Sequence, residues 1–258
     1  MSRLLVTGGT GYLGRELVTR AVEQGWGVRA TWWSQKPELT ADWVHLDVRD
    51  GAAITAALEG VDAVIHTAYR QGADEWATNV DGSQAVATAA RDVRLVHVST
   101  DLVFDGTRGR YREDDKPAPV NSYGRSKAEA ELRVAAAHPE ATIVRTSLIY
   151  GGAEPGPQER LARTGTRFFV DEIRSPVQVG DLALALLELV GLTVRGPLHL
   201  GGADDLSRAD FAVLLGADAA RIERAQTTPD RAPNVSLDSS RAAGLLQTRL
   251  RGATEVLG

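Results

Sequence analysis

Tyr123 and Lys127 stand four residues apart in the stretch "NSYGRSKAEAE". On a helix, positions i and i+4 share a face. A phenol ordinarily titrates at about pH 10. An ammonium one turn away in a partly buried site favours the phenolate and lowers that value. A tyrosine so tuned hands a proton to a developing alkoxide, or takes one from an alcohol. About twenty residues earlier, "VSTDLVFDG" offers a third polar group. Its hydroxyl, on Thr100, ends an apolar run. Taken alone, a Tyr–Lys pair also describes an ordinary helix surface, so the elements that would position these groups decide the reading.

The first is a glycine turn. "TGGTGYLG" spaces Gly8, Gly11 and Gly14 three apart between a strand (3–7) and a helix (12–25). The first glycine permits the tight turn, the second lets backbone approach a pyrophosphate, and the third lets helix pack on strand. The helix N-terminus favours the negative charge. Thr10, Tyr12 and Leu13 complete this expected dinucleotide cradle. The second strand ends "ATWWSQKP", with no acid before Glu38. Trp32 or Trp33 takes the place where an acid would bind a ribose 2′-OH. Ser34 and Lys36 suit a 2′-phosphate, which puts NADPH ahead of NADH. Asp47 and Val48 end the next strand and are placed to bracket the adenine. Thr67, Ala68 and Tyr69 end the fourth strand, beside the expected centre of the cofactor, and Val98 lies against it from the fifth. His66 reads as a satisfied core histidine. Asn79, mid-helix where Asn is mildly unfavourable, is expected to bond backbone near the site.

Strand and helix alternate over the first 150 residues. The strands are continuous apolar runs, as in parallel sheets buried on both faces. The expected fold is α/β: a Rossmann-like, doubly wound parallel sheet. Helices are predicted over 51–60, 73–92, 122–137 and 179–191, and strands over 27–33, 43–47, 62–68, 94–100, 142–150 and 197–202. Segments 101–121 and 151–166 read as long loops. The nucleotide-binding core is expected at 1–150, completed by 177–202, and a small substrate lobe at 151–176 and 203–258. The chain has 258 residues, is 43% hydrophobic and carries a net charge of −5. That balance argues against a nucleic-acid partner. No cysteine is present, which excludes disulfides, zinc–thiolate sites and thiol nucleophiles. No signal peptide or membrane-length apolar run is seen, so a cytoplasmic location is expected.

"TGGTGYLG", "LDV", the Asn79 helix, "STDLVFDG" and "YGRSK" together resemble the extended short-chain dehydrogenase/reductases, from the N-terminus to about residue 202. Within them, "VSTDLVFDG" is similar to the "STDYVFDG" segment of the dTDP-4-dehydrorhamnose reductases. The resemblance implies a catalytic set of Thr100, Tyr123 and Lys127, and reduction of a 4-keto group on a nucleotide-linked deoxysugar. Thr100 would bond the substrate oxygen, and Asp101 either bonds the sugar hydroxyls or caps the following loop as a turn former. "RSPVQVGDLA" looks like the segment in which relatives place an arginine, here Arg174, on the substrate diphosphate. A homodimer is also allowed, and no metal site is carried over. The chain is shorter than those reductases in its C-terminal half, which opens the substrate to question. Two other readings stay open: an epimerase or dehydratase that keeps its nucleotide bound, and a non-catalytic NAD(P)-binding regulatory protein.

Overall fold

The computed structural model describes residues 2–34, 40–220, 222–228 and 230–258. Six strands come first in chain order: β1 (Arg3–Thr7), β2 (Gly27–Trp32), β3 (Asp42–His45), β4 (Ala63–His66), β5 (Arg94–Thr100) and β6 (Thr142–Thr146). With Gly196–Leu200 they form a seven-stranded sheet, ordered Gly196–Leu200, β6, β5, β4, β1, β2, β3. The pairs β3–β2, β2–β1, β1–β4 and β4–β5 are parallel. Strand order reverses between β1 and β4, which makes the sheet doubly wound and puts ligand sites at the strands' carboxyl ends. Leu4, Leu5, Val6, Val64, Ile65 and Val96 are wholly enclosed. That is what an unbroken apolar strand requires.

The helices between these strands are α1 (Tyr12–Glu23), α2 (Gly51–Ala57), α3 (Ser83–Ala89) and α4 (Ser122–Ala137). The Asp50 side chain caps α2 by accepting from Ala52 and Ala53 N–H. Asn121 does the same for α4 through Gly124 N–H at 2.7 Å. Such caps satisfy N–H groups that a helix start leaves open. The helix expected over 73–92 is instead a wide π-type turn, Ala77–Gly82, followed by α3. Asn79 lies inside that turn and spends its side chain on the backbone of Arg70. Extra width of this kind is common at functional sites.

Two compact units divide the chain. Met1–Ser99, Ser126–Val144 and Leu186–Pro197 form one; Thr100–Arg125, Arg145–Ala185 and Leu198–Gly258 form the other. These limits differ from the expected 1–150 core. Segment 101–121 belongs with the C-terminal residues because its backbone bonds there. Tyr111 exchanges hydrogen bonds with the 236–238 segment at 2.8 Å, and Asn234 N–H donates to the Gly106 carbonyl. The strand expected over 142–150 also breaks after Thr146. Ile149–Tyr150 pairs with Val177–Gln178 in a ladder of its own. The expected loop at 151–166 contains a helix, Pro157–Thr164, with Pro at its first position and Arg163 in its last turn. Both placements suit a helix end. No helix among the described residues is long and apolar enough to cross a membrane.

The turn between β1 and α1 is the tightest glycine requirement in the first unit. A Cβ on Gly14 would lie 2.2 Å from the Gly8 carbonyl oxygen. Gly14→Ala is expected to destabilise the protein by roughly 1–3 kcal/mol or more, seen as a lower midpoint in thermal or urea unfolding.

Candidate active site

A cavity of about 250 Å³ opens at the carboxyl ends of the strands of the first unit. Gly8, Thr10, Gly11, Trp32, Asp47, Val48, Thr67, Ala68 and Tyr69 all line it. Tyr12, Leu13 and Gly14 do not. Leu13 and Gly14 are buried in the first turn of α1, and Tyr12 opens that helix. No side chain caps α1 at Gly11, so the helix start offers backbone N–H groups to an anion. Ser34 is exposed and outside the cavity wall. Lys36 lies outside the described residues.

Sequence reasoning missed several cavity residues, Arg49 and Arg70 above all. Arg49 donates to both oxygens of Asp47, from Nε at 2.9 and 3.0 Å and from Nη2 at 2.6 Å. These bonds hold the Asp47 carboxyl below the usual carboxylate range. Arg49 Nη1 has no protein partner among the described residues. Trp33, half exposed, stacks on His45 at 5.3 Å, and Trp32 lies 4.5 Å from the same ring. Arg70 is clamped by Asn79: its N–H donates to Asn79 Oδ1, and Asn79 Nδ2 donates to its carbonyl. Asn79 Nδ2 also reaches Ser126 Oγ on α4 at 3.0 Å. The available signal was adjacency, since Arg49 follows the expected adenine pair and Arg70 follows Tyr69.

Lys127 is only 2% exposed. Its Nζ donates to the Val98 carbonyl at 2.8 Å and lies 3.5 Å from His97 Nε2. Among the described residues no carboxylate is within ion-pair distance of it. Burial pushes the ammonium down to about 8, with Glu131 acting in the opposite direction. Glu131 accepts from Ser99 Oγ at 2.6 Å. An ammonium has three hydrogens; two have acceptors among the described residues and the third has none there. Tyr123 is half-buried one turn earlier on the same helix.

In the second unit, Thr100 and Asp101 are both enclosed. The Thr100 hydroxyl donates to Asp101 Oδ1 at 3.1 Å and accepts from Leu102 N–H at 3.2 Å. What Thr100 still offers is a lone pair. Asp101 Oδ2 accepts from Ser147 Oγ at 2.6 Å. Burial raises the Asp101 carboxyl, against the pull of Arg174 and the hydrogen bonds from Ser147 and Thr100. Arg174 is 3% exposed. Its Nη1 donates to the Ile173 and Pro233 carbonyls, and its Nη2 to Glu172 and the Ala232 carbonyl. Its Nε is 4.0 Å from Asp101. Both of its terminal nitrogens, which the sequence reading assigned to a substrate diphosphate, are engaged by these neighbours.

The start of α4 is pressed onto the turn that follows Thr100. A Cβ on Gly124 would lie 2.1 Å from the Leu102 carbonyl oxygen. This contact fixes the residue beside Tyr123 against the Asp101–Val103 turn. A second cavity, about 420 Å³, lies in the second unit among Gly201, Asp205, Asp238 and Arg249. None of the residues picked out in sequence lines it.

A doubly wound sheet with a glycine turn, and a buried lysine one turn after a tyrosine, define an extended short-chain dehydrogenase/reductase. The chain belongs to the family described as the RmlD substrate binding domain, whose model matches residues 2–254. It is 35% identical to the dTDP-4-dehydrorhamnose reductase of Mycolicibacterium smegmatis, over 99% of this chain and 84% of that one. It is 34% identical to the probable low-salt glycan biosynthesis reductase Agl14 of Haloferax volcanii, over 84% of this chain and 82% of that one. A crystal structure of a hypothetical dTDP-4-dehydrorhamnose reductase from Sulfolobus tokodaii superposes with a TM-score of 0.82, at 29% identity, covering 96% of each chain.

Gly124→Ala forces α4 off the Asp101–Val103 turn and moves Tyr123 with it. We expect turnover to fall by about a hundredfold, the scale on which an ångström of displacement in an active site acts. Steady-state rates beside a thermal melt check this.

Proposed function

We propose that this protein is an NADPH-dependent reductase that converts the 4-keto group of a 4-keto-6-deoxy nucleotide sugar to an alcohol, in the manner of a dTDP-4-dehydrorhamnose reductase. Lys127 carries the proposal. Burying an ammonium without a carboxylate partner is costly, and such groups cluster where chemistry is done. Here one of its hydrogens is uncommitted and a tyrosine stands one turn away.

The first unit fits a dinucleotide. Its cavity has backbone at Gly8 and Gly11, the open start of α1, and Arg49, paired with Asp47 through Nε and Nη2, whose Nη1 is left to a ligand beside Trp32 and Trp33. Gly8, Thr10 and Gly11 would take the pyrophosphate, Asp47 and Val48 the adenine, and Thr67, Ala68, Tyr69 and Val98 the middle of the molecule. NADPH, when bound, supplies the hydride that the keto carbon gains. Tyr123 gives its proton to the keto oxygen. Lys127 stabilises the phenolate left behind and bonds a ribose hydroxyl with its third hydrogen. Thr100, its own hydrogen held by Asp101, accepts from the alcohol once it forms. Asp101 and Arg174 act through Thr100 and the buried network around it. The same reading places the protein in the cytoplasm. The same reading allows a homodimer.

Mixing the protein with NADPH and dTDP-4-keto-6-deoxysugar should bleach the reduced nicotinamide absorbance and yield the 4-hydroxy sugar. Turnover without added reductant, from protein carrying tightly bound NAD, would instead identify an epimerase or dehydratase. Tyr123→Phe should lower kcat by roughly 10²–10⁴-fold with cofactor affinity retained. Arg49→Ala should weaken NADPH by about tenfold and leave NADH nearly unchanged, as read by calorimetry. An equal loss for both nucleotides would confine Arg49 to holding Asp47.

A further inference from the structure

Thr7 of β1, His66 of β4 and His97 of β5 are direct neighbours across three adjacent strands. His66 Nδ1 is 2.6 Å from Thr7 Oγ1, and its Nε2 is 3.0 Å from Ser83 Oγ. Both of its ring nitrogens are thus satisfied. The His66 and His97 rings stack at 5.2 Å. His97 is unlike its neighbour. It is as deeply buried, but its Nε2 lies 3.5 Å from Lys127 Nζ and its Nδ1 has no partner among the described residues.

The lysine dictates the tautomer. An ammonium can only donate, so Nε2 of His97 must accept, and the ring proton must sit on Nδ1. There it makes no hydrogen bond. A doubly protonated ring would hold two cations 3.5 Å apart without water, which is strongly unfavourable. Burial, then Lys127 and His66, keep His97 well below the usual imidazole range. Burial and Lys127 push His66 down to about 3. Both rings are neutral throughout the working range. A leucine at position 97 would fill a strand interior without leaving a buried nitrogen unsatisfied, so packing alone does not explain this histidine.

We propose that His97 is a positioning residue for Lys127: its Nε2 lone pair holds the second ammonium hydrogen, so that the third points to the bound ligand. This rests on the reading of Lys127 as part of the catalytic set. The groups around the ammonium are the Val98 carbonyl and His97 from β5, His66 behind His97 on β4, and Glu131 one turn on along α4. Tyr123 is one turn back. The ammonium, brought down to about 8 by burial, is charged below that pH and neutral above it. Removing its imidazole acceptor weakens the charged form further. The alkaline limb of kcat must then move to lower pH.

The test compares kcat against pH for wild type, His97→Leu, His97→Gln and Lys127→Met, with NADPH and the keto sugar nucleotide. Binding of 2′,5′-ADP to each variant reports whether the cavity in the first unit is intact. His97→Leu should lower kcat by about tenfold and shift the alkaline limb down by about one pH unit. Affinity for 2′,5′-ADP should stay unchanged. His97→Gln, whose amide oxygen can stand near the Nε2 position, should recover most of the rate and the wild-type limb. Equal losses in the Leu and Gln variants with an unmoved limb would overturn the proposal, as would wild-type behaviour of His97→Leu. If His97→Leu does not fold, His97→Gln against His97→Asn decides. The shorter Asn falls short of Nζ and should show the shifted limb, and identical profiles would overturn the proposal. Turnover retained in Lys127→Met would instead overturn the parent reading of Lys127.

Discussion

The Lys127 ammonium, buried on the Val98 carbonyl, is the constraint on which the site depends. A charge placed there without a carboxylate costs stability, and the surrounding residues limit that cost without removing the charge. One hydrogen goes to the end of β5 and one faces His97. Glu131, bonded to Ser99, favours the ammonium from a distance. A close carboxylate would raise the lysine and consume the hydrogen that a ligand needs. The arrangement keeps the group charged at neutral pH but short of saturation.

The fold supplies rigidity around that group. β1, β4 and β5 are parallel neighbours, and the row Thr7, His66, His97 runs across them. Thr7 immediately precedes the Gly8 turn, so one polar row ties the expected cofactor turn to the lysine. Asn79 adds a second tie. From its π-type turn it clamps both backbone groups of Arg70, at the cavity wall, and bonds Ser126 beside Lys127. In the second unit, Gly124 brings the start of α4 onto the turn after Thr100. Thr100 is in turn oriented by Asp101, which Ser147 bonds and Arg174 flanks.

Residues whose role follows from local spacing were legible in the sequence. Gly8, Gly11 and Gly14 marked the turn, Tyr123 and Lys127 marked one helix face, and unbroken apolar runs marked the parallel strands. Residues whose role depends on distant partners were not. Arg174 reads as a free fork until the Pro233 and Ala232 carbonyls, nearly sixty positions away, close on it. Arg49 is an ordinary charged residue until the strands bring it to a cavity with Trp32 and Trp33. His97 looks like one polar residue in a buried strand, and only the register with His66 and the reach of Lys127 reveal its setting. The break after Thr146 was hidden for the same reason. Ser147 leaves the strand path to bond Asp101, and sequence spacing carries no sign of that bond.

The central claim is that Lys127 is held as a buried ammonium of lowered affinity for its proton. Direct titration of its side-chain nitrogen or ε-carbon by NMR, in the ligand-free protein with Lys127 assigned through a Lys127→Arg control, tests it most plainly. A single transition at about pH 8 is the predicted result. A transition at the ordinary lysine value, about 10.4, would mean a solvated group and would contradict the account.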